Sequence, residues 1–264
     1  GRLEHEGAPV SLEENRALRA GLTAAVLCND ARLRQRDGAW TIEGDPTEGA
    51  LLPAAIKAGL DPAALRAAHP ALDVIPFASE RLFMATLHAQ HDGTVIYLKG
   101  AVERLLPRCR ARLDADGVTV PLDAEAVRAA ADGLAAQGLR VLAFAMKPAA
   151  AGHTRLHPAE VEDGLIFLGL QGLIDPPRPE AIAAVQHCRT AGVAVKMITG
   201  DHALTARAVA LQLGLGDGRP VVLDGSELAA VPDDRLPETA ARTDVFARVE
   251  PEQKLRLVRA LQRR

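Results

Sequence analysis

The pattern of apolar segments changes near residue 165, and this change constrains the fold more than any other feature of the chain. From Leu165 onwards, apolar strand-like runs alternate with helical segments, and the series ends in a strand over Val245–Val249 and a helix over Pro251–Gln262. Such alternation favours right-handed crossovers and a parallel sheet that helices cover on both faces. The sequence therefore predicts a parallel α/β domain after a boundary near Leu173.

Helices are mixed with strands in the preceding part of the chain. Ser11 and Glu14 have the spacing of a capping box, which predicts a helix from Ser11 through about Ala25. The stretch Asp45-Pro46-Thr47-Glu48 follows the same logic, with proline at the first helical position, and predicts a second helix towards Lys57.

Turn signals in this part also indicate antiparallel strands. His91-Asp92-Gly93 predicts one β-hairpin, and Asp116-Gly117 predicts a second. The alanine-rich segment Ala124–Ala136 predicts a helix that ends at Gly138, and Arg140–Ala145 reads as a buried strand directly after it.

Length and charge favour a two-domain protein that does not bind nucleic acid. The chain has 264 residues, which exceeds the usual single-domain size of roughly 100–150 residues. We expect an α+β domain with an antiparallel sheet over residues 1–173, followed by a parallel α/β domain over residues 174–264. The 31 basic and 34 acidic side chains give a net charge of −3, without the basic excess that DNA or RNA binding needs.

The cysteines and the apolar runs exclude several other classes of protein. Cys28, Cys109 and Cys188 lie far apart and outside any CxxC spacing, so we predict neither a disulfide framework nor a zinc site. The most apolar stretch, Gly164–Ile174, is shorter than the roughly 20 apolar residues of a membrane helix, so we expect no direct membrane insertion. The chain opens on glycine and stops inside a predicted helix, and we expect it to be a piece of a longer protein.

The most informative stretch is Val193-Ala-Val-Lys-Met-Ile-Thr-Gly-Asp201, followed by a helical segment over His202–Leu213. A buried parallel strand that ends in Thr-Gly-Asp directly before a helix brings a hydroxyl group, backbone N–H groups and a positive helix end to the carboxyl edge of the sheet. This arrangement predicts phosphate binding by Thr199, Gly200 and Asp201. The spacing equally allows Thr199 and Asp201 to be helix caps only.

Two further segments place charged residues near the same sheet edge. In Asp175-Pro-Pro-Arg178-Pro179 the prolines stiffen the backbone, so Asp175 could cap the next helix or help to hold a metal ion while Arg178 faces a phosphate. Taken alone, a rigid turn with a solvated arginine is the simpler interpretation. Lys254, in the first turn of the last helix, could neutralise a phosphoryl group, although exposed helix lysines are common.

Seven short motifs follow one another along the chain. They are Gly44-Asp-Pro-Thr-Glu48, Ile75-Pro-Phe-Ala-Ser-Glu80, Tyr97-Leu-Lys-Gly-Ala101, Gly138-Leu-Arg-Val-Leu142, Asp175-Pro-Pro-Arg178, Met197-Ile-Thr-Gly-Asp201 and Phe246-Ala-Arg-Val-Glu-Pro251. Each resembles a motif of the cytoplasmic ATP-handling region of P-type cation-transporting ATPases. The residues of the motifs are most similar to those of the calcium-pump branch. The resemblance covers nearly the whole chain.

The resemblance implies a nucleotide-binding domain inserted into a phosphorylation domain of haloacid-dehalogenase-like fold. By position in the motifs, it implies that Glu48 contacts adenine, that the ring of Phe77 stacks on the base and that Lys99 lines the nucleotide pocket. It also implies that Arg140 reaches the ATP phosphates. Each of these residues has a structural interpretation as well, as a capping-box glutamate, a core ring, a strand-end lysine and a solvated arginine, but their joint order favours the functional one.

In the second domain the resemblance implies roles in phosphoryl transfer. Thr199, Gly200 and Asp201 match the phosphate-binding loop, Asp175 and Arg178 match a hinge-side pair, and Lys254 matches the lysine that steadies the transferred phosphoryl group.

The sequence departs from the family in two respects. Ser79 occupies a position where some calcium pumps have an arginine near the nucleotide. We therefore expect part of the family's contacts to the ATP phosphates to be absent or to come from other residues. The Asp-Lys-Thr-Gly-Thr motif with the nucleophilic aspartate and the Gly-Asp-Gly-x-Asn-Asp motif with metal-binding carboxylates do not occur. We expect both motifs just outside the two ends of this sequence.

A haloacid-dehalogenase-type phosphatase with a cap domain is the rival enzyme hypothesis. It requires an Asp-x-Asp pair at the end of a parallel strand, and Asp114-Ala-Asp116 runs into Gly117, which favours a hairpin turn instead. Asp233-Asp234, in a loop between prolines, is a poor second carboxylate pair. A non-catalytic binding module is the third hypothesis.

The resemblance leads to one expected function. The chain would be an ATP-binding cytoplasmic part of an integral membrane P-type ATPase, which couples ATP hydrolysis through an aspartyl-phosphate to cation transport. ATP and Mg²⁺ are the implied cofactors, calcium the implied ion, and the remaining domains of the same pump the implied partners. Because the nucleophile motif is missing, we expect this chain by itself to be inactive.

Overall fold

The computed structural model describes residues 3–5, 8–36, 39–174 and 176–262. The chain folds into two compact units, each with its own core. The first comprises the residues up to Arg128 together with Val141–Leu173, and the second comprises Ala129–Arg140 together with the residues from Ile174 onwards.

The segment Ala129–Arg140 is the part of this division that the sequence did not indicate, since the predicted boundary at residue 173 left it in the first domain. Its end packs on the helical core of the second unit. The Thr205 hydroxyl donates to the Leu139 carbonyl at 3.0 Å, and Gly138 lies so close to Ala208 that a Cβ atom added there would be 3.3 Å from the alanine methyl group.

The elements of the first unit are short and numerous. Its helices are α1 (Arg16–Leu27), α2 (Pro46–Lys57), α3 (Pro62–Ala68), α4 (Val102–Leu105) and α5 (Ala124–Ala136), the last of which continues into the second unit. Its strands are β1 (Glu4–His5), β2 (Ala8–Pro9), β3 (Arg32–Arg36), β4 (Ala39–Glu43), β5 (Ala71–Ala78), β6 (Phe83–Gln90), β7 (Gly93–Gly100), β8 (Cys109–Leu113), β9 (Thr119–Pro121), β10 (Arg140–Ala149) and β11 (Leu165–Leu173).

A seven-stranded sheet with the order β5-β6-β7-β10-β11-β8-β9 organises this unit. Strand β6 pairs antiparallel with β5 and with β7, β7 pairs antiparallel with β10, and β8 pairs antiparallel with β9. The pairs β6–β7 and β8–β9 are the two predicted hairpins, which are therefore confirmed. The pair of β8 and β11 is parallel, which differs from the predicted antiparallel sheet. A parallel pair needs a long connection, and the chain between these two strands supplies one with α5 and β10.

Both faces of this sheet are buried, because alternate residues of the central strands enter different clusters. Ala85 and Leu98 belong to one cluster with Leu165, whereas Met84 and Tyr97 face the other side and pack with the apolar face of α1. The candidate site described below lies on the α1 and α2 side.

Helix α1 begins later than its predicted capping box. The N-cap residue is Asn15, whose Oδ1 atom accepts from the N–H of Leu18 at 2.9 Å. The Ser11 hydroxyl instead accepts from the N–H of Glu13 at 3.2 Å in the preceding turn. Asparagine caps helices as well as serine does and lies next to the apolar face, so the prediction that Ser11 starts the helix is wrong.

The second unit contains the helices α6 (Pro179–Thr190), α7 (Ala203–Gln212), α8 (Gly225–Ala230), α9 (Leu236–Arg242) and α10 (Pro251–Gln262) and the strands β12 (Met197–Ile198), β13 (Val222–Asp224) and β14 (Val245–Ala247). The strands form a parallel sheet with the order β12-β14-β13. Phe246 packs with α8 and α10 on one face, whereas Val245 and Ala247 pack with α6 and α7 on the other. The predicted parallel sheet with helices on both faces is therefore present.

The strand before the Thr-Gly-Asp sequence is shorter and less buried than predicted. Only Met197 and Ile198 form β12, both are half-buried, and Val193 is exposed. Within the described ranges β12 pairs on one side only, with β14, so it is an edge strand and its first residues have no partner that would extend the ladder. None of the helices in the described part of the chain is both long enough and apolar enough to cross a lipid bilayer.

Candidate functional site

The start of α2 delivers Glu48 to the candidate site. Pro46 occupies the first turn, and Oδ1 of Asp45 accepts from the N–H groups of Thr47 at 2.8 Å and Glu48 at 3.1 Å. The Glu48 carboxylate points elsewhere. Its Oε2 atom accepts from the N–H of Asp30 at 2.8 Å, and its Oε1 atom lies 2.6 Å from Nζ of Lys99. Glu48 therefore does more than complete a helix cap.

Lys99 lies at the penultimate position of β7 and faces the α1 and α2 side of the sheet. Its side chain is 6% exposed and that of Glu48 is 15% exposed, so the two charges form a largely buried ion pair. A buried charge without a partner is strongly unfavourable, and each of these two residues supplies the partner of the other. The interpretation of Lys99 as an ordinary strand-end lysine is wrong on this geometry.

The thiol of Cys28 lies beside this pair at the end of α1. Its Sγ atom donates to the carbonyl of Met84 at 3.5 Å, and Met84 is the neighbour of Lys99 in the pairing of β6 with β7. Burial raises the pKa of the Cys28 thiol to about 11, although the charge of Lys99 opposes the rise. The thiol is therefore a protonated donor at neutral pH.

Phe77 lies on β5, the strand at the edge of the large sheet. Its side chain is 57% exposed, so the interpretation as a core ring is wrong. The pairing of β5 with β6 is interrupted between Ile75 and Ala78, which places Phe77 in a bulge. Bulges re-aim side chains, and this one leaves the ring on the surface, about two strand spacings of roughly 5 Å each from β7. Ser79 follows in an exposed turn.

A second cluster forms at the Thr199–Asp201 loop of the second unit. The Asp201 carboxylate accepts from Nη2 of Arg140 at 2.6 Å and from the Thr199 hydroxyl at 2.8 Å. The N–H of Asp201 donates back to the Thr199 hydroxyl at 3.1 Å. Partial burial raises the pKa of the Asp201 carboxyl, but the bonds from Arg140 and Thr199 outweigh it and bring the pKa below its ordinary value. Asp201 is therefore a stable carboxylate in this arrangement.

The loop does not act as the cap of helix α7. The N-cap residue is His202, whose Nδ1 atom accepts from the N–H of Leu204 at 3.3 Å. Gly200 is exposed, and a Cβ atom added there would meet nothing within 4 Å. Of the two interpretations that the spacing allowed, helix capping by Thr199 or Asp201 is wrong.

Backbone hydrogen bonds fix this loop against the end of β14. The N–H of Thr199 donates to the Phe246 carbonyl at 2.9 Å, and the N–H of Val249 donates to the Thr199 carbonyl at 3.1 Å. The N–H of Arg248 donates to the backbone carbonyl of Asp201 at 3.1 Å, and Arg248 itself has a positive φ of 50°. Both loops thus follow the carboxyl ends of neighbouring parallel strands, which is where α/β sheets bind ligands.

The remaining predicted residues lie around the same unit. Arg178 is the exposed N-cap residue of α6, and Lys254 is exposed in the first turn of α10. Asp175 lies outside the described residues. Within the described ranges no group of three or more His, Cys, Asp or Glu side chains could hold a metal ion.

The carboxylates of the rival phosphatase hypothesis have structural roles. Oδ1 of Asp114 accepts from the N–H of Val118 at 2.8 Å inside the hairpin of β8 and β9. Asp233 pairs with Arg256, whose Nε atom lies 2.8 Å from its Oδ1 atom. Asp114 and Asp116 lie in the tight turn of the antiparallel β8–β9 hairpin, and Asp233 and Asp234 lie in a turn before α9, so this hypothesis is not favoured.

One part of the first cluster is absent from the sequence-based predictions. Asn29 and Asp30 follow α1 and contact Glu48 through a side chain and a backbone N–H group. An asparagine directly after an apolar helix face marks the end of a helix, but nothing in the local sequence connects this position with Glu48.

Comparison with known proteins gives one consistent family. Residues 17–180 match the family model described as "P-type ATPase, cytoplasmic domain N". The chain is 49% identical over 258 residues to Cation-transporting ATPase pma1 of Synechocystis sp., covering 97% of this chain and 28% of the relative. It is 48% identical over 263 residues to Probable cation-transporting ATPase F of Mycobacterium tuberculosis, covering 98% of this chain and 29% of that protein.

A third relative is Calcium-transporting ATPase of Bacillus subtilis, which is 38% identical over 257 residues and of which the chain covers 29%. The chain therefore spans well under a third of the length of these relatives. Since the family model matches more than half of the chain, and since the relatives align with nearly all of it, the chain belongs to the family of P-type cation-transporting ATPases and contains their cytoplasmic domain N.

Proposed function

We propose that the first unit binds ATP, with Glu48 and Phe77 as the residues that recognise adenine and Lys99 lining the pocket. The observation that carries the proposal is the Glu48 carboxylate. It is held by Asp30 and Lys99 rather than used as a cap, and it is 15% exposed. Each carboxylate oxygen has two acceptor sites, so the carboxylate can still accept a bond from the amino group of adenine.

The ring of Phe77 supports the same proposal. An exposed phenylalanine on an edge strand gains nothing from core packing, whereas a purine base would cover its face. The residues of this unit therefore fit the base and sugar end of a nucleotide. Lys99 fits a role beside the base better than a phosphate contact, because its charge is already paired and only 6% of its side chain is exposed.

Residues 174–264 are proposed to be the later part of a phosphorylation domain of haloacid-dehalogenase-like fold, after a nucleotide-binding domain over residues 1–173, and the compact second unit takes in Ala129–Arg140 as well. Thr199, Gly200 and Asp201 would form its phosphate-binding loop, with Lys254 and Arg178 as cationic side chains near the phosphoryl group and Asp175 as the hinge-side partner of Arg178. The open space at Gly200 and the placement of the loop after β12 support this assignment. Arg140 is proposed to contact the ATP phosphates. To do so it would have to release the Asp201 carboxylate, with which it is paired in this structure.

In the whole protein we propose that ATP supplies the phosphoryl group, that an aspartate outside this sequence accepts it, and that the resulting aspartyl-phosphate drives cation transport. The chain would then be a cytoplasmic domain of an integral membrane protein, with the other domains of the same pump as partners. Calcium is the ion to test first, because the Bacillus subtilis relative is a calcium-transporting ATPase by name. Mg²⁺ is proposed as the metal ion that accompanies ATP, because P-type ATPases use it in general, and none of the described residues is proposed to bind it.

Titration with nucleotides tests the proposed pocket. The chain should bind ATP, AMP and adenosine in calorimetry, with or without Mg²⁺, since base recognition needs no metal. Phe77→Ala should weaken all three ligands by an amount that corresponds to roughly 1–3 kcal/mol of stacking. Val74→Ala is the matched control, because Val74 is also an exposed apolar residue of β5, and it should bind normally. A folded wild-type chain that binds no nucleotide at millimolar concentration would refute the proposal.

A labelling experiment tests the proposed inactivity of this chain. Incubation with γ-labelled ATP followed by an acid quench should leave no label on the protein, because the nucleophile motif is missing from the sequence. An acid-stable, hydroxylamine-sensitive label would contradict this expectation and revive the phosphatase hypothesis.

A further inference from the structure

The loop Cys28–Ala31, which follows α1, holds one side of the Glu48 carboxylate. The N–H of Asp30 donates to Oε2 of Glu48 at 2.8 Å, whereas Lys99 holds Oε1. A backbone donor has no freedom of its own, so the position of this loop decides where the carboxylate lies. The question is then what fixes the loop.

Asn29 fixes it from within. Its side chain is nearly fully buried, and Nδ2 donates to the carbonyls of Ala25 and Glu48, both at 2.9 Å. Its Oδ1 atom accepts from the N–H of Ala31 at 2.8 Å. One amide thus ties the end of α1, the loop and the backbone of Glu48 itself together, and both of its donors are used.

Arg66 of α3 fixes the loop from outside. Its Nη2 atom lies 3.3, 3.1 and 2.9 Å from the carbonyl oxygens of Val26, Asn29 and Ala31, respectively. The Val26 carbonyl lies in the last turn of α1, where carbonyl groups carry partial negative charge and lack helical partners, and the other two belong to the loop, so one guanidinium group joins the helix end to the loop. Burial and the nearby Arg32 lower the pKa of Arg66 from its ordinary value, which nevertheless leaves the group cationic at neutral pH.

The loop is also joined to the sheet. Cys28 donates to the carbonyl of Met84, and Met84 pairs with Lys99 across β6 and β7. The same four-residue loop therefore contacts the two elements that carry the Glu48 and Lys99 side chains, α2 and the large sheet.

We propose that Asn29 and Arg66 are positioning residues that set the selectivity of this site for adenine over guanine, an inference that rests on the proposed ATP site. Adenine presents an amino group at the position where guanine presents a carbonyl oxygen. A carboxylate held rigidly accepts from the first and repels the second. A carboxylate that can turn away loses this discrimination, even though neither Asn29 nor Arg66 touches the base.

The test compares dissociation constants for ATP and GTP on the full chain. Asn29→Ala and Arg66→Lys should each reduce the preference for ATP by about tenfold, the scale of one misplaced hydrogen bond to a charged group. Thr94→Val is the control, because Thr94 is similarly buried in the same unit and donates to the Ala150 carbonyl at 3.0 Å. It should lower the melting temperature but leave the ATP to GTP ratio unchanged.

Two further measurements separate positioning from a general loss of structure. In a Glu48→Gln background, Asn29→Ala should not change the ratio further, because the charge that it positions is gone. The amide proton of Asp30, observed by NMR without nucleotide, should shift in Asn29→Ala and Arg66→Lys as it does in Glu48→Gln, but not in Thr94→Val. If Asn29→Ala does not fold, Arg66→Lys, which retains the charge, gives the same comparison.

The outcomes are distinct. An unchanged ATP to GTP ratio in both variants, with lower melting temperatures alone, would overturn the positioning role and leave the ATP site intact. A wild-type chain that binds no ATP would overturn the proposed function and the selectivity role together. An additive effect in the Glu48→Gln background would mean that Asn29 acts on binding by another route, and would also overturn the inference.

Discussion

The Nζ atom of Lys99 lies 2.6 Å from Oε1 of Glu48, although 51 residues separate them in sequence. The exposed pair of Arg34 and Glu43 has the same separation of 2.6 Å, but each of its side chains is 54% exposed. The two pairs differ in burial and not in distance, which makes the second a natural reference for the first.

Stability should respond differently to the loss of each pair. Glu48→Gln or Lys99→Met leaves an unpaired buried charge, and either change should lower the free energy of unfolding of the first unit by about 3 kcal/mol. The double variant should lose less than the sum of the two. Glu43→Gln should cost less than about 1 kcal/mol, since water screens the exposed pair. Chemical denaturation followed by circular dichroism measures all four variants, and equal costs for the two pairs would contradict the burial argument.

Nucleotide binding by Lys99→Met should identify what the lysine does. Because its charge is paired with Glu48 and shielded from solvent, its loss should weaken adenosine, AMP and ATP by similar factors, through displacement of the Glu48 carboxylate. A lysine that contacts phosphates would instead affect ATP far more than adenosine, and the difference would shrink as salt increases. Calorimetric titration of the three ligands at two salt concentrations distinguishes these cases.

Gly200, in the proposed phosphate-binding loop, should be dispensable for folding. A Cβ atom at Gly200 meets nothing within 4 Å, whereas at Gly225 it would lie 2.3 Å from the Arg248 carbonyl oxygen. Gly200→Ala should therefore change the free energy of unfolding by less than about 0.5 kcal/mol, while Gly225→Ala should cost more than about 2 kcal/mol. Thermal unfolding of both variants checks this. A large cost for Gly200→Ala would mean that the glycine serves the fold and not a ligand.

The first unit should lose stability in mild acid because of His88. Nδ1 of His88 lies 2.9 Å from the His69 carbonyl, which can only accept, so Nδ1 carries the proton. Nε2 is buried and, among the described residues, has no hydrogen-bond partner. Burial lowers the pKa of His88 below its ordinary value of 6.5, the hydrogen bond to the His69 carbonyl opposes this shift, and the charges of His69 and Arg66 add to it.

The sign of the pH dependence follows from this lowered pKa. Below pH 6.5 the unfolded chain takes up a proton that the folded chain refuses, so stability falls with pH by up to about 1.4 kcal/mol per unit until the folded pKa is reached. Above pH 6.5 the residue contributes no pH dependence. In His88→Asn, whose amide can replace the Nδ1 donor, the fall between pH 6.5 and 5 should be smaller than in wild type. Urea titrations at several pH values measure it, and parallel curves would exclude His88 as the cause.

Local signals in the sequence predicted much of the fold. Proline after Asp45 predicted the start of α2, His91-Asp92-Gly93 predicted the turn between β6 and β7, and Ala124–Ala136 forms the predicted helix without change. These features depend on capping and turn chemistry within a few residues, which a single sequence contains. The start of α1 was predicted wrongly because Ser11 and Asn15 are both good N-cap residues, and the choice between them depends on packing.

Long-range pairings were beyond the same reasoning. The Asp116-Gly117 turn signal and the apolar run from Leu165 indicated the strands β8 and β11, but their parallel pairing depends on the path of the chain between them. For the candidate site, the motifs predicted Glu48, Phe77 and Lys99 singly. The ion pair, the bulge that exposes Phe77 and the bond from Asp30 to Glu48 arise from tertiary contacts, which no spacing in the sequence encodes.

The alkylation rate of the buried thiol at the end of α1 also measures how often the candidate site opens. Cys28 has no exposed surface, and with a pKa of about 11 it reacts with alkylating reagents only when the surrounding structure opens. Its alkylation rate in the native state therefore reports how often the end of α1 separates from the sheet. A ligand that binds only the closed form slows this reaction by the factor 1 + [L]/Kd. Cys188 is only half-buried, so it reacts first and can be blocked beforehand, and Cys109, which is buried as Cys28 is, has to be replaced by alanine before the slow reaction is assigned to Cys28.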